Sequence, residues 1–374
     1  MGHVLLLLTG LCGAASGGSS YIERTIGALE ACRADLPAMA ETAEGCAARL
    51  VEGGRLWVAG QDSLVSELTG RAGGMMMMKA LGNATPGPKD VVLLVAETEP
   101  VAPAPWPAET LVVSIGACGE NEEMACFDAR AEALGLVPSF ANVMPGWVFT
   151  AELVGALTRR GKMPVMYETI GLYGGFARIQ QYQDGAVPYH EDRQVMPAAP
   201  GALGTQFIEK VTAMLRRVRQ EEAEDIAKAA RWAREAKGTG KTAYLYSMGH
   251  LYPAEVDNTV LGQYFKSGVW YPMFRNMPVP DDQFQGGDFV LHLGYQHSPD
   301  TLLKRAHDAH ARAAYIDLHR NRDFADPETV VWIDPMWDWP DGCVTIEGYD
   351  VPFIPASGVV NTAIAWEIHR QAQP

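Results

Sequence analysis

The feature of this chain that most constrains its fold is an order of segments that occurs twice. In each half, a helical segment and a glycine break lead into a short apolar strand, and a turn rich in Gly or Ser leads from that strand into another helix. The strand lies at residues 55–59 in the first half and at residues 243–246 in the second. Apolar strands that alternate with helices are typical of parallel sheets covered by helices on both faces. The repeat therefore predicts an α/β fold of two tandem, doubly wound parallel-sheet domains.

The remaining strands and helices are predicted from the spacing of apolar residues. Short apolar runs between Gly- and Pro-rich breaks predict strands, whereas longer segments with apolar residues three and four apart predict helices. Further strands are expected at residues 91–96, 110–115, 163–167, 288–293, 314–317 and 329–333. Helices are expected at residues 21–52, 63–68, 122–135, 149–160, 204–219, 221–237 and 302–312.

The boundary between the two domains is predicted from the point at which the order restarts. We expect a first domain at residues 19–219 and a second at residues 220–374, each closed by an apolar helix that opens near residues 201–205 and 358–362. Residues 171–200 are rich in Gly, Gln, Pro and Tyr and have no counterpart in the second half. A lid and an inter-subunit arm are the two interpretations of this segment. The second interpretation predicts a homo-oligomer.

Composition excludes several classes of protein. A length of 374 residues suits two domains, and a net charge of -15 argues against a nucleic-acid-binding surface, which needs a basic face. A small phosphate can still be bound through backbone N–H groups and hydroxyls. No cofactor is predicted: residues 238–242 resemble part of a P-loop, but they precede a strand, whereas a P-loop follows one. No segment beyond the N-terminus is apolar for long enough to span a membrane.

The N-terminus and the cysteines bear on the compartment. Residues 4–15 are apolar and are followed by small residues, which predicts a signal peptide at residues 1–18 and an exported or periplasmic protein. The alternative is a buried N-terminal strand or helix of a cytoplasmic protein, because no basic residue precedes the apolar run. The six cysteines form no CxxC pair, although Cys118 and Cys126 flank one loop. We expect scattered core cysteines without a metal site.

Three short motifs resemble the sugar isomerase (SIS) domain family. Residues 52–63 place Glu-Gly-Gly before a strand and Gly-x-x-Ser after it, as in the opening of SIS domains. Residues 247–255 resemble the loop of the SIS subgroup that carries a Gly-His turn followed by Ala-Glu. Residues 340–357, which precede a helix with an Asn-Thr pair, resemble the end of the domain. The resemblance covers most of residues 45–370 as scattered motifs.

This resemblance implies a flavodoxin-like, SIS-type fold in each half and a phosphosugar as the ligand. One activity that it implies is the isomerisation of an aldose phosphate to a ketose phosphate. The alternative is a non-catalytic ligand-binding or scaffold protein that keeps the fold without the chemistry.

The candidate binding residues lie in loops after predicted strands. Such a turn points backbone N–H groups at one place, and small residues with hydroxyls let an anion approach. The residues predicted to bind the ligand are Gly60, Ser63, Ser247, Gly249, Ser298, Thr301 and Ser357. Residues 117–123 bring carboxylates where the family carries hydroxyls, and carboxylates repel phosphate. We therefore expect one site, in the second half. The alternative interpretation of every loop is an ordinary capped helix start.

Aldose–ketose isomerisation through an enediol needs a general base and a second acid or base near the sugar oxygens. We predict His250 and Glu255 for these roles, with His297 on the neighbouring loop. Glu168 is the analogous carboxylate of the first half. A helix-capping His and a surface Glu are the alternative interpretation of the pair.

Overall fold

The computed structural model describes residues 19–100, 105–119, 124–169, 174–184, 190–191, 194–248, 259–269, 284–295, 297–320 and 326–374. Within these ranges the helices are α1 (Tyr21–Val51), α2 (Asp62–Leu68), α3 (Ala131–Leu134), α4 (Pro138–Ala141), α5 (Val143–Arg159), α6 (Gly175–Gln183), α7 (Ala202–Glu221), α8 (Ala223–Gly238), α9 (Val260–Tyr264), α10 (Asp300–Asp308) and α11 (Ser357–Ala372). The strands are β1 (Leu56–Gly60), β2 (Met78–Ala80), β3 (Val91–Ala96), β4 (Leu111–Gly116), β5 (Cys126–Phe127), β6 (Met163–Pro164), β7 (His190–Glu191), β8 (Ala243–Ser247), β9 (Lys266–Val269), β10 (Phe289–Leu293), β11 (Arg312–Ile316), β12 (Val330–Ile333), β13 (Gly342–Val344) and β14 (Phe353–Pro355).

The first sheet contains five parallel strands in the order β2-β1-β3-β4-β5. All six residues of the central strand β3 are buried, as expected for a parallel strand covered on both faces. Gly60 ends β1 with φ +119°, and a Cβ at that position would lie 2.0 Å from the carbonyl oxygen of Val95. The close approach of β1 to β3 therefore requires glycine at this position.

The second sheet has the same topology, with five parallel strands in the order β9-β8-β10-β11-β12. Equivalent backbone bonds follow the first strand of each half: Gln61 donates to the carbonyl of Val95 at 3.0 Å, and Met248 donates to that of Leu293 at 2.9 Å. By this register β8 corresponds to β1 and β10 to β3. The predicted fold class, two tandem doubly wound parallel sheets, is confirmed.

Helices of the two halves pack into one continuous hydrophobic core. Helix α1 starts at a capping box in which Ser20 and Glu23 exchange side-chain-to-backbone hydrogen bonds. Tyr21, in its first turn, stacks on Trp366 of α11 with a ring-centroid distance of 5.4 Å. The first of the described helices is thus tied to the last, and the two sheets are not independently packed bodies.

The closing helix α11 corresponds to α5, and this corrects the match suggested by residues 201–205. Helix α11 packs on α8, which precedes β8, just as α5 packs on α1, which precedes β1. Helix α7 instead lies against both α1 and α5. The similar glycine openings of α7 and α11 were too short a pattern to identify which helices occupy equivalent places.

Two segments of the first half differ from the sequence-based expectation. The predicted helix at residues 122–135 is helical, in its described part, only at Ala131–Leu134, since Cys126–Phe127 pairs with β4 as an edge strand. The predicted strand at residues 163–167 is reduced to Met163–Pro164, and Met166 forms an isolated antiparallel bridge with Met75. Met163–Pro164 pairs antiparallel with β7, outside both parallel sheets.

Helix α6, in the described part of residues 171–200, packs against the first half. Tyr182 of α6 is buried beside Met76, Val165 and Tyr167. Arg178, on the same helix, forms an ion pair with the buried carboxylate of Glu168. Glu168, predicted as the first-half counterpart of the catalytic carboxylate, is thus held by a residue of this segment.

By length and composition, one helical stretch of the described residues, Pro138–Arg159, is long and apolar enough to cross a membrane, which corrects the expectation that no segment beyond the N-terminus is. Every residue in its most apolar window is buried inside the protein. It contains α4 and α5, which lie at the centre of the first half.

Candidate functional site

The candidate ligand loop, residues 294–301, follows β10 at the centre of the second sheet. Ser247 ends the neighbouring strand β8 and is buried. Ser298 is half-buried and lies just before α10, whose second residue is Thr301, while His297 is exposed. Ligands of open α/β sheets collect at the carboxyl ends of the strands. Four residues predicted from sequence therefore lie along the same edge of one sheet.

The other predicted residues of this site are Gly249, His250 and Glu255. All three lie outside the described residues. Their roles in binding and in proton transfer stay predictions.

An asparagine of the closing helix holds the start of the candidate ligand loop. Asn361 of α11 donates from Nδ2 to the carbonyl oxygen of Gly294 at 3.0 Å and accepts from the indole N–H of Trp337 at 3.0 Å. Asn361 is only 5% exposed. A buried carbonyl at a strand end needs such a partner, because leaving it unpaired is costly.

In the first half, an asparagine side chain likewise donates to carbonyl oxygens at the end of the central strand. Asn142, immediately before α5, donates from Nδ2 to the carbonyl oxygens of Ala96 and Glu97 at 3.1 and 3.2 Å. These carbonyls lie at the carboxyl end of β3, the counterpart of β10. The loop that corresponds to residues 294–301 therefore begins at Ala96, and not at the acidic residues 117–123 indicated by the sequence.

In the first-half loop, a carboxylate of the protein lies where the ligand's phosphate was expected. Ser63, in the first turn of α2, donates its hydroxyl hydrogen bond to the carboxylate of Glu97. The hydroxyl predicted to bind a ligand is thus already paired with a protein carboxylate. Glu99, two residues further on, is exposed. The second-half loop carries Tyr295 at the position of Glu97, so the two loops differ in charge at their second residue.

A buried carboxyl group lies at the end of β11, beside the candidate ligand loop. Asp317 is fully buried and accepts the backbone N–H of His319 at 3.0 Å. Its Oδ2 has no hydrogen-bond partner in the described part of the chain and faces Gly294, where an added Cβ would lie 2.5 Å away. Burial raises the pKa of Asp317 to about 7, the charge of Asp300 adds to this, and backbone amides including that of Tyr295 oppose it.

This shift predicts that Asp317 destabilises the fold at high pH. Below about pH 4 the Asp317 carboxyl is protonated in both the folded and the unfolded protein. Between about pH 4 and 7 it ionises only in the unfolded protein, so the free energy of unfolding falls as the pH rises. Above about pH 7 the full loss, a few kcal/mol, is present. Denaturant unfolding should therefore show the stability difference between Asp317→Asn and wild type growing in favour of the variant from pH 5 to 7. Burial also raises the pKa of Glu222 to about 7, but Glu222 is present in both proteins, so its contribution cancels in the stability difference. A pH-independent difference would contradict the assignment.

A buried charged cluster joins the two halves; we call it the junction network (Glu67, Arg71, Tyr295, Asp341 and Ser357). Arg71 forms an ion pair with Glu67 of α2. Its Nη2 donates to Ser357 Oγ at 2.8 Å and lies 3.6 Å from Asp341 Oδ2. Tyr295 donates its hydroxyl to the same Asp341 oxygen at 2.9 Å. First-half residues thus contact the candidate ligand loop through second-half side chains.

Burial favours the protonated form of the Glu67 carboxyl group in this network. Glu67 is fully buried, its Oε2 has no hydrogen-bond partner among the described residues, and its Oε1 accepts from Trp147 Nε1 at 3.4 Å. Burial raises the pKa of Glu67 more than Arg71 lowers it. The network contains two carboxyl groups and one guanidinium, so a proton on Glu67 balances its charge.

The hydroxyl of Ser357, predicted to bind the ligand, is occupied within the protein. It donates to Asp341 Oδ2 at 2.7 Å and accepts from Arg71. Asp341 Oδ1 also accepts the backbone N–H groups of Ala356 and Ser357 at 3.0 and 2.8 Å. The N-terminus of α11 is therefore capped by a carboxylate of the chain itself.

Sequence reasoning missed the asparagines as a pair. A usable signal was present: in each half an Asn at or near the start of an apolar helix has a Trp five residues later, Asn142 with Trp147 and Asn361 with Trp366. Asp317 gave no comparable signal, because an Asp after a strand is common in loops.

The five cysteines in the described ranges divide into two groups by environment, and Cys12 lies outside those ranges. Cys118 and Cys126 form a disulfide with a Cα–Cα distance of 5.6 Å, which corrects the expectation that they are free core residues. Cys32, Cys46 and Cys343 are free and buried, as predicted. Burial raises the pKa of all three thiols, to about 12 for Cys46, so they are poor nucleophiles.

The described residues contain no group of three or more His, Cys, Asp and Glu side chains that could hold a metal ion.

The chain is similar to solved structures of sugar and sugar-phosphate proteins. The C-terminal domain of glucosamine-fructose-6-phosphate aminotransferase from Francisella tularensis aligns with 8% identity and a TM-score of 0.45, covering 96% of this chain and 97% of that one. A protein described as sugar binding from Salmonella typhimurium LT2 aligns with 7% identity and a TM-score of 0.47, covering 94% and 98%. A protein described as a phosphosugar isomerase from Silicibacter pomeroyi DSS-3 aligns with 11% identity and a TM-score of 0.41, covering 95% and 98%. No protein-family profile and no curated protein matches the sequence.

Proposed function

We propose that the protein binds a phosphosugar at the candidate ligand loop of the second half. The observation that carries the proposal is the position of residues 294–295 and 297–301, between a central parallel strand and α10 and beside Ser247 at the end of β8. The N-terminal turn of a helix offers backbone N–H groups and a positive dipole end to an anion. The buried hydrogen bond from Asn361 to the Gly294 carbonyl supports a preformed position for these groups.

The carboxyl groups around the loop make anion binding depend on pH. Asp300 lies in the first turn of α10 and Asp317 at the end of β11, and ionised carboxylates there repel a phosphate. Because the pKa of Asp317 is about 7, this group is largely neutral in mildly acidic solution. In the first half, the Glu97 carboxylate already pairs with Ser63, which favours the second half as the working site.

Calorimetric titration tests the proposal. A panel of aldose and ketose phosphates is compared with the same sugars without phosphate, and we expect binding only of the phosphorylated forms. Ser298→Ala should weaken binding about tenfold, since a hydrogen bond to a charged group contributes roughly 1.5 kcal/mol. Ser63→Ala in the first-half loop is the matched control and should leave the affinity unchanged. Equal binding with and without phosphate, or a loss only in the control, would contradict the proposal.

The proposal extends to catalysis, namely isomerisation of the bound sugar phosphate. An aldose–ketose isomerase with His250 and Glu255 as its acid–base pair and His297 on the neighbouring loop must exchange a carbon-bound hydrogen with solvent. Nuclear magnetic resonance in D2O reads this exchange at the carbon next to the carbonyl of a bound sugar phosphate. Binding without exchange would instead support the second candidate, a non-catalytic sugar-phosphate receptor, which the acidic first-half loop favours.

We also propose that the chain matures in an oxidising compartment, since disulfides persist there and are rare in the cytosol. The pairing of Cys118 with Cys126 supports this, together with the apolar N-terminal segment. Alkylation of the purified, denatured protein before and after reduction should block three and then five of the cysteines at positions 32, 46, 118, 126 and 343. Five blocked without reductant in protein isolated from its native cell would contradict the proposal.

A further inference from the structure

The junction network connects the candidate ligand loop to the first half. Tyr295, the second residue of the loop, contacts Asp341, and Arg71 of the first half lies 3.6 Å from the same carboxylate oxygen. Arg71 is 5% exposed and Asp341 is 2% exposed. In such a dry environment a charged hydrogen-bonded group holds its partner strongly, and a change at one member affects the others.

The backbone of the loop is held at the same place. Gly294 donates its N–H to the carbonyl of Ile316 at 2.7 Å, and the backbone amide of Tyr295 interacts with the carboxyl group of Asp317. The Tyr295 ring packs against Trp337 and Trp339 at centroid distances of 4.9 and 5.6 Å. The ring therefore has apolar support that is independent of its hydroxyl.

We infer that Tyr295 and Arg71 are positioning residues for the phosphosugar site: the Tyr295 hydroxyl fixes the start of the loop to Asp341, whose orientation depends on Arg71 of the first half. The second-half site is then complete only when the first half is packed against it. The affinity part of this inference rests on the proposed function. The ordering of the loop does not, because it is a property of the ligand-free protein.

Tyr295→Phe is the direct test, since it removes one hydroxyl and keeps the ring contacts. In the ligand-free protein, we expect hydrogen exchange of the Gly294 and Tyr295-position amides to speed up about tenfold, with the denaturation midpoint close to wild type. Affinity for hexose 6-phosphate should fall about five- to tenfold. The matched control is Tyr264→Phe, because the Tyr264 hydroxyl is buried without a hydrogen-bond partner in the described structure. Tyr264→Phe should change neither the exchange rates of these two amides nor the affinity for hexose 6-phosphate.

Arg71→Lys tests the connection across the halves. Lysine keeps the charge but has no planar fork with which to reach both Glu67 and Ser357. We expect the same local acceleration of exchange at Gly294 and Tyr295. Unchanged exchange in Tyr295→Phe, or acceleration there without any in a folded Arg71→Lys, would overturn the inference. If wild type binds no sugar phosphate, the proposed function fails while the exchange results still decide the positioning role.

Discussion

Replacement of Arg71 by Met should lower the free energy of unfolding by about 3–5 kcal/mol. Arg71 is the cation that the described structure places between Glu67 and Asp341, and both carboxyl groups are almost fully buried. Without the guanidinium, one or both must either bind a proton or remain as an unpaired charge in a dry interior. Denaturant-induced unfolding at pH 7.5 measures the loss.

Glu67→Gln is the matched control for this prediction. Because burial raises the pKa of Glu67, a neutral amide of similar shape should replace it with a change of about 1 kcal/mol or less. The effect of Arg71→Met should also shrink as the pH falls, because Glu67, whose pKa burial raises, becomes protonated. An Arg71→Met protein as stable as wild type at pH 7.5 would show that the network is solvated, contrary to the structure.

Replacement of Asn361 by Ala should cost about 2–5 kcal/mol and also weaken sugar-phosphate binding. It leaves the Gly294 carbonyl and the Trp337 N–H without partners, and each buried unpaired group costs about 1–3 kcal/mol. The binding loss is expected because Gly294 begins the candidate ligand loop. Chemical denaturation and calorimetric titration measure the two effects separately.

The repeat supplies a control for the Asn361 prediction. Asn142→Ala removes the equivalent bonds to Ala96 and Glu97 and should destabilise the protein by a similar amount. Its effect on binding should be small, since the first-half loop is not the proposed site. Equal losses of affinity in the two variants would mean that destabilisation alone explains them.

The sheets were predictable because buried parallel strands have a simple sequence pattern. The strand Val91–Ala96 was predicted to the residue, since an unbroken run of Val, Leu and Ala between polar breaks has few other interpretations. The edge strands Met78–Ala80 and Lys266–Val269 were missed. Each is short and pairs on one side only, so its residues carry little of that pattern.

The candidate loop was predictable from local sequence, whereas the residues that hold it were not. Ser298 follows a predicted strand and precedes a predicted helix, and that context is enough to indicate a strand-end loop. Arg71 and Ser357, which share a hydrogen bond, are 286 residues apart. No local pattern reveals such a contact, because it depends on how the two halves pack. The Cys118–Cys126 pair was local, but residues that flank a loop do not show by spacing alone whether they are joined.

The central claim is that the second half carries the phosphosugar site, and a hydrogen–deuterium exchange footprint tests it most directly. Wild-type protein is compared with and without a saturating hexose 6-phosphate, with saturation established by calorimetry. We predict slower exchange in peptides covering residues 294–308 and unchanged exchange at residues 97–100 of the first-half loop. Protection confined to the first-half loop, or no protection of residues 294–308 at saturation, would contradict the claim.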